Sequence, residues 1–166
     1  EHVNTTYNDD IVNGNEAGNW IWTYMGSDTL LGHGGDDYFT VGQGDKVTIP
    51  DLVGKGRAKR DLTLTAHMTP GHSPGCTTWT TVTREKKWNH TVVFFCSATV
   101  ALNKLVGKPT YPGIVDDYKK SFEVSKGIIA DVFLAPHPEM FKMEEKRPLI
   151  GKYAGVNPFI KAGEFH

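Results

Sequence analysis

Nowhere in the 166 residues is there a run of about 18 apolar side chains, the length a membrane-crossing helix needs. The most apolar stretch, Thr91 to Ala98, has the size of a strand and ends in polar residues, so no transmembrane helix is expected. Blocks of like charge are missing too. The formal net charge is −1, and the densest basic run, Lys55 to Arg60, is broken by Gly56 and Ala58. That run reads as a solvated loop and gives nucleic acid no electrostatic footprint. An initiator Met, a basic leader and an apolar h-region are all absent from Glu1-His2-Val3-Asn4-Thr5-Thr6, which therefore reads as a processed or truncated end. No internal repeat or low-complexity tract is read. The remaining composition, 39% hydrophobic and 22% charged, is that expected of one soluble domain.

Residues 1 to 19 are rich in Asn, Asp and Gly and show no apolar period, which predicts a loop or disordered segment, with the folded domain running from 20 to 166. Trp20 to Met25 is aromatic and β-prone, and Gly32-His33-Gly34-Gly35-Asp36-Asp37 reads as a loop. Lys46 to Ile49 and Asp61 to His67 carry β-branched alternation. Cys76 to Thr83 and Thr91 to Ser97 flank the polar stretch Arg84 to His90 and predict an antiparallel hairpin. After Pro112-Gly113, the four-residue spacing of Ile114, Tyr118 and Phe122 draws one stripe on a helix that Gly127 stops. Ile128 to Ala135 then reads as a nearly continuous buried strand ending at Pro136-His137-Pro138. Strands followed by a helix and a further strand predict an α/β or α+β sandwich.

Two histidines stand out by their framing. His72 lies between two strands in a turn bracketed by Pro70-Gly71 and Pro74-Gly75. Glycines let backbone approach a bound group and prolines lower the entropy of holding the turn, which suits a preorganised ligand. The same residues also suit an ordinary turn histidine. His137 repeats the arrangement, delivered by an apolar strand into a Pro-bracketed loop. Two imidazoles at strand ends suggest a transition-metal site, yet zinc takes about four ligands, so they do not complete one. His2, His33, His67, His90 and His166 lack such framing and read as surface or structural residues.

The stretch His67-Met68-Thr69-Pro70-Gly71-His72-Ser73-Pro74-Gly75-Cys76-Thr77-Thr78-Trp79 resembles the Thr-Pro-Gly-His-Thr-x-Gly-Cys-Thr-Thr-Trp signature of the third subclass of metallo-β-lactamases. Phe94 to Val100, Tyr111 to Tyr118 with Ser121-Phe122, Ala130-Asp131-Val132 with Pro136-His137-Pro138, and Asn157-Pro158-Phe159 are similar to that family in the same order. Gly34 to Phe39 is similar to its connecting loop. The resemblance runs over roughly residues 24 to 163 and to the C-terminal half of the family's αβ/βα sandwich.

The resemblance implies a zinc hydrolase of the β-lactam amide bond, conferring antibiotic resistance in a periplasmic or secreted setting. It makes His72 a ligand of a first Zn2+, His137 a ligand of a second, and Ser97 and Thr99 the hydroxyls that bind the substrate carboxylate. The family's His-x-His-x-Asp-His run, the source of four more ligands, occurs nowhere in the chain, so an isolated chain is expected to be inactive. The missing N-terminal half or a homodimer is the expected partner. Alternatives are a superfamily hydrolase of thioesters, lactones or phosphodiesters, and a non-catalytic half-domain. The first of these is disfavoured because Cys96-Ser97 stands where many such relatives carry a metal-bridging Asp. Folding the hairpin about residues 84 to 90 brings Cys76 and Cys96 nearly opposite, and the implied setting permits a disulfide between them.

Overall fold

The computed structural model describes residues 1–52 and 60–166. The basic run expected to form a solvated loop lies outside the described residues up to Arg60, where a strand begins. The chain is an α/β protein dividing into two compact units, Glu1–His67 and Met68–His166, so the division falls at residue 67 and not at 19. Among the described residues no helix is long and apolar enough to cross a membrane.

The first unit is a parallel β-coil. Its short strands β1 (His2–Asn4), β2 (Ile11–Asn13), β3 (Trp20–Trp22), β4 (Thr29–Leu31) and β5 (Tyr38–Thr40) begin nine residues apart. Alternate strands stack in parallel, β1-β3-β5 in one sheet and β2-β4 followed by β6 (Lys46–Leu52) in the other. Here the expectation of a loop over residues 1 to 19 fails, because that segment supplies β1 and β2. The reading of no internal repeat fails with it. An acid or amide followed two residues later by an apolar side chain recurs as Asp10/Val12, Asn19/Ile21, Asp28/Leu30, Asp37/Phe39 and Asp45/Val47.

Each member of that pair has its own task. Val12, Ile21, Leu30 and Val47 are buried and fill the coil. The carboxylates accept backbone N–H groups from the preceding turn: Asp28 from Asp10 (2.9 Å), Asp37 from Asn19 (3.0 Å) and Asp45 from Asp28 (2.9 Å). Gly32 to Asp37, expected as a loop, is a turn of this coil leading into β5. Gly35 there has φ 94°, and a Cβ would meet the backbone of Ala17 and Gly18 at 2.7 Å, one coil below. On the outer face His2, Trp20 and Tyr38 stack in strand order with ring centroids 5.2 and 5.3 Å apart. β6 then turns back antiparallel against β7 (Arg60–Met68).

The second unit is built on β8 (Thr77–Glu85), β9 (Trp88–Phe94) and β10 (Val132–Leu134), in the order β10-β9-β8. The predicted hairpin is β8 and β9, with a tighter turn than the polar run suggested: only Lys86 and Lys87 lie between the strands, and Lys86 takes φ 56°. Its register is Trp79↔Phe94 and Thr83↔His90. The predicted helix is α1 (Ile114–Lys126), flanked by Gly113 and Gly127. It buries Ile114, Tyr118 and Ser121, while Phe122 stays about half exposed at 48%.

The long strand expected over Ile128 to Ala135 shortens to β10. Asp131 interrupts it, its N–H donating to the Thr91 carbonyl and its carboxylate accepting the Thr91 N–H at 2.8 Å. Ile128 and Ala130 remain in the core with Val93, Phe133 and Phe141. Ile129 turns outward. A 3₁₀ turn over Pro138–Phe141 and the short helix α2 (Met143–Lys146) follow.

Candidate metal and substrate site

β8 runs antiparallel to β9 and β10 runs parallel to it, so the start of β8 and the ends of β9 and β10 lie at one end of the sheet. Phe94 marks that end, paired to both Trp79 and Leu134. Three connections emerge there. They are residues 69–76 entering β8, 95–99 leaving β9 and 135–138 leaving β10, and they carry all four candidate residues: His72, Ser97, Thr99 and His137.

The His72 turn is held from several sides. At its base, the Thr69 N–H donates to the Cys76 carbonyl at 2.9 Å, and the buried hydroxyls of Thr69 and Thr78 are 2.9 Å apart. The Gly71 N–H donates to the Ser73 carbonyl (3.1 Å), and Asn103 Nδ2 donates to the His72 carbonyl (2.9 Å). Ser121 on α1 donates to the Pro70 carbonyl. The Tyr118 ring lies against Gly71, whose φ of 130° and close approach leave no room for a Cβ. Cys76 and Cys96 form a disulfide with Cα atoms 5.8 Å apart. The observed register extends to place Cys76 opposite residue 97, a single position from Cys96.

His72, Thr99 and Ser97 form one hydrogen-bonded group. His72 Nδ1 lies 2.8 Å from the Thr99 carbonyl oxygen and 3.2 Å from Thr99 Oγ1. Thr99 Oγ1 and Ser97 Oγ are 3.0 Å apart, and the Thr99 N–H donates to Ser97 Oγ at 3.2 Å. His137 is well exposed, with Nδ1 3.8 Å from Glu139 Oε1. It shares the end of the sheet without joining that hydrogen-bonded group.

The other histidines stand elsewhere. His2 is in the aromatic stack, and His90 lies 4.0 Å from Asp131. His166 Nε2 is 2.9 Å from the Ile128 carbonyl. His33 takes φ 68° in a coil turn. Burial lowers the pKa of His67 from its ordinary value.

The donor chemistry suits a metal, since His72 keeps Nε2 clear of its bond to Thr99 and His137 is open to solvent. The number does not: among the described residues no three His, Cys, Asp or Glu side chains gather into a group able to hold an ion. Sequence reasoning missed Tyr118, Asn103 and Ser121 as supports of the turn. Tyr118 was legible only as one member of a helical stripe, although a buried tyrosine hydroxyl needs a partner and so points beyond packing.

No family model matches the chain. Among solved structures, it is similar to BJP-1, a subclass B3 metallo-β-lactamase of Bradyrhizobium japonicum, at 48% identity over 81% of this chain and 46% of that one, with a TM-score of 0.65. The FEZ-1 metallo-β-lactamase from Legionella gormanii is similar at 38% identity over 77% of this chain and 48% of its own, with a TM-score of 0.59. MEM-A1, a subclass B3 enzyme from a soil metagenome library, shares the fold at 22% identity and a TM-score of 0.61, over 78% and 46% of the two chains. Over most of its length the chain resembles subclass B3 metallo-β-lactamases, and it spans under half the length of these three.

Proposed function

We propose that this chain is the C-terminal half of a zinc-dependent β-lactamase, acting on β-lactams in a periplasmic or secreted setting once a half bearing the remaining ligands is present. The observation that carries this reading is the emergence of the His72 turn, the Ser97/Thr99 segment and the His137 loop at one end of the sheet, with His72 and Thr99 directly hydrogen-bonded. His72 and His137 would each give one imidazole to a metal. Zinc, when bound, supplies Lewis-acid polarisation of the amide carbonyl. The two histidines alone fall short of a catalytic site's usual three protein ligands.

The chain's own contribution is binding and orientation. Ser97 and Thr99 present two hydroxyls 3.0 Å apart, and because only one proton can lie between them, the other can point toward a substrate carboxylate. The disulfide ties the entry of β8 to the exit of β9, holding these hydroxyls near the His72 turn. An oxidising compartment suits that disulfide.

The test is hydrolysis of a chromogenic cephalosporin in excess zinc, with the chain alone and with a separate segment bearing a His-x-His-x-Asp-His run. No turnover above background is expected alone, and metal-dependent turnover is expected on mixing. His72→Ala or His137→Ala is expected to lower metal affinity of the mixture by more than about 10- to 100-fold, the loss usual for disturbing even an outer-shell partner. Full turnover by the chain alone, or none on mixing despite bound zinc, would refute the reading.

A further inference from the structure

We infer that Tyr118 is a positioning residue that fixes the proton of His72 on Nδ1 and so leaves Nε2 as the free lone pair. The inference rests on the proposed function for its purpose, and on hydrogen-bond chemistry for its content. The Thr99 main-chain oxygen has no proton to give, so a 2.8 Å contact with His72 Nδ1 is a hydrogen bond only if Nδ1 carries the proton. Neutral imidazole free in water prefers the proton on Nε2, so the protein must hold the less favoured tautomer.

Thr99 is exposed and lies outside any helix or strand, where nothing in regular secondary structure fixes its carbonyl. The buried Tyr118 supplies that restraint. Its hydroxyl donates to the same Thr99 oxygen at 2.8 Å, using the carbonyl's second lone pair. The same ring lies against Gly71, the residue before His72, so one side chain on α1 sets both the backbone leading into the histidine and the acceptor its ring meets. A metal-binding histidine needs this arrangement, with one ring N–H held by a fixed acceptor and the opposite nitrogen open.

The experiment is long-range 1H–15N correlation NMR of the full chain labelled in histidine, at about pH 8, where an ordinary histidine is neutral. The wild type is expected to show His72 protonated on Nδ1. Tyr118→Phe keeps the ring over Gly71 and removes only the hydroxyl, and the Nε2–H fraction is expected to rise about fivefold, the effect of one typical hydrogen bond. Thr99→Val is expected to leave the tautomer unchanged, because the acceptor is main chain.

A wild-type His72 protonated on Nε2, a Tyr118→Phe spectrum identical to wild type, or a Thr99→Val shift as large as that of Tyr118→Phe would each overturn the inference. Should Tyr118→Phe not fold, Tyr118→Met, which also lacks the hydroxyl, takes its place with the same rise expected, and an unchanged spectrum there overturns the inference equally. These readouts need neither metal nor turnover. An expected tautomer pattern beside failed hydrolysis on mixing would therefore uphold the positioning role while refuting the proposed function.

Discussion

A methyl group added at Gly71 would lie 2.9 Å from the Tyr118 ring on a backbone with φ 130°, so it meets both a steric and a conformational penalty. Neither side can give way cheaply, since Tyr118 is buried and its hydroxyl is committed to Thr99. Gly71→Ala is expected to destabilise the second unit by about 1–3 kcal/mol, as other overpacked sites do. Gly75, in the same turn, has open space around the position of a Cβ and no positive φ, so Gly75→Ala is expected to stay within about 0.5 kcal/mol of wild type. Denaturant unfolding of the pair checks this; equal effects would mean that the glycines serve chain flexibility and not the contact with Tyr118. The framing of His72 by glycine and proline was legible in the sequence. Which glycine is indispensable was not, because that depends on a ring 47 residues away in the chain.

At the scale of elements, legibility followed how locally each element is specified. Helix α1 was legible because Gly113, Gly127 and a four-residue apolar spacing all act within one segment. The β8–β9 hairpin was legible in its strands but not in its turn, since Arg84 to His90 is polar apart from Trp88 yet mostly continues the ladder. The coil was not legible because its nine-residue period rests on few positions, one apolar, one acid or amide and one glycine such as Gly26, Gly35 and Gly44, and the last two read as loop composition although they are what closes the coil. Asp28 tests that account. It is fully buried, and its carboxylate accepts the Asp10 N–H at 2.9 Å and the Thr5 hydroxyl at 3.1 Å. Removing it leaves two donors without their acceptor in a place water does not reach, so Asp28→Ala is expected to cost about 2–4 kcal/mol. Asp36 is exposed, and Asp36→Ala is expected to change little, within about 0.5 kcal/mol. Thermal unfolding followed by circular dichroism compares the two, and similar stabilities would reject the carboxylate ladder as the device that holds the coil.

For the whole molecule, the two units draw on different sources of stability. The first stacks single apolar residues from successive turns and joins those turns through buried carboxylates. The second has a mixed core of Val93, Ile128, Ala130, Phe133 and Phe141, covalently closed by the Cys76–Cys96 disulfide across 20 residues. In the chain-entropy account a loop of that size is worth about 3 kcal/mol. Two compact units with separate cores need not melt as one, and a single unfolding free energy then ceases to describe the chain. Changes placed in one unit are therefore expected to shift one transition only. Cys76→Ser with Cys96→Ser should lower the transition that reports the second unit by about 2–4 kcal/mol and leave the coil's transition in place, whereas Asp28→Ala should do the reverse. The fluorescence of Trp20 and Trp22, both in the coil, and of Trp79 and Trp88, both in the hairpin, separates the two once each pair is replaced by Phe in turn. A common transition that moves with either change would show that the units form one cooperative structure. The coil would then have to be counted among the supports of the His72 turn.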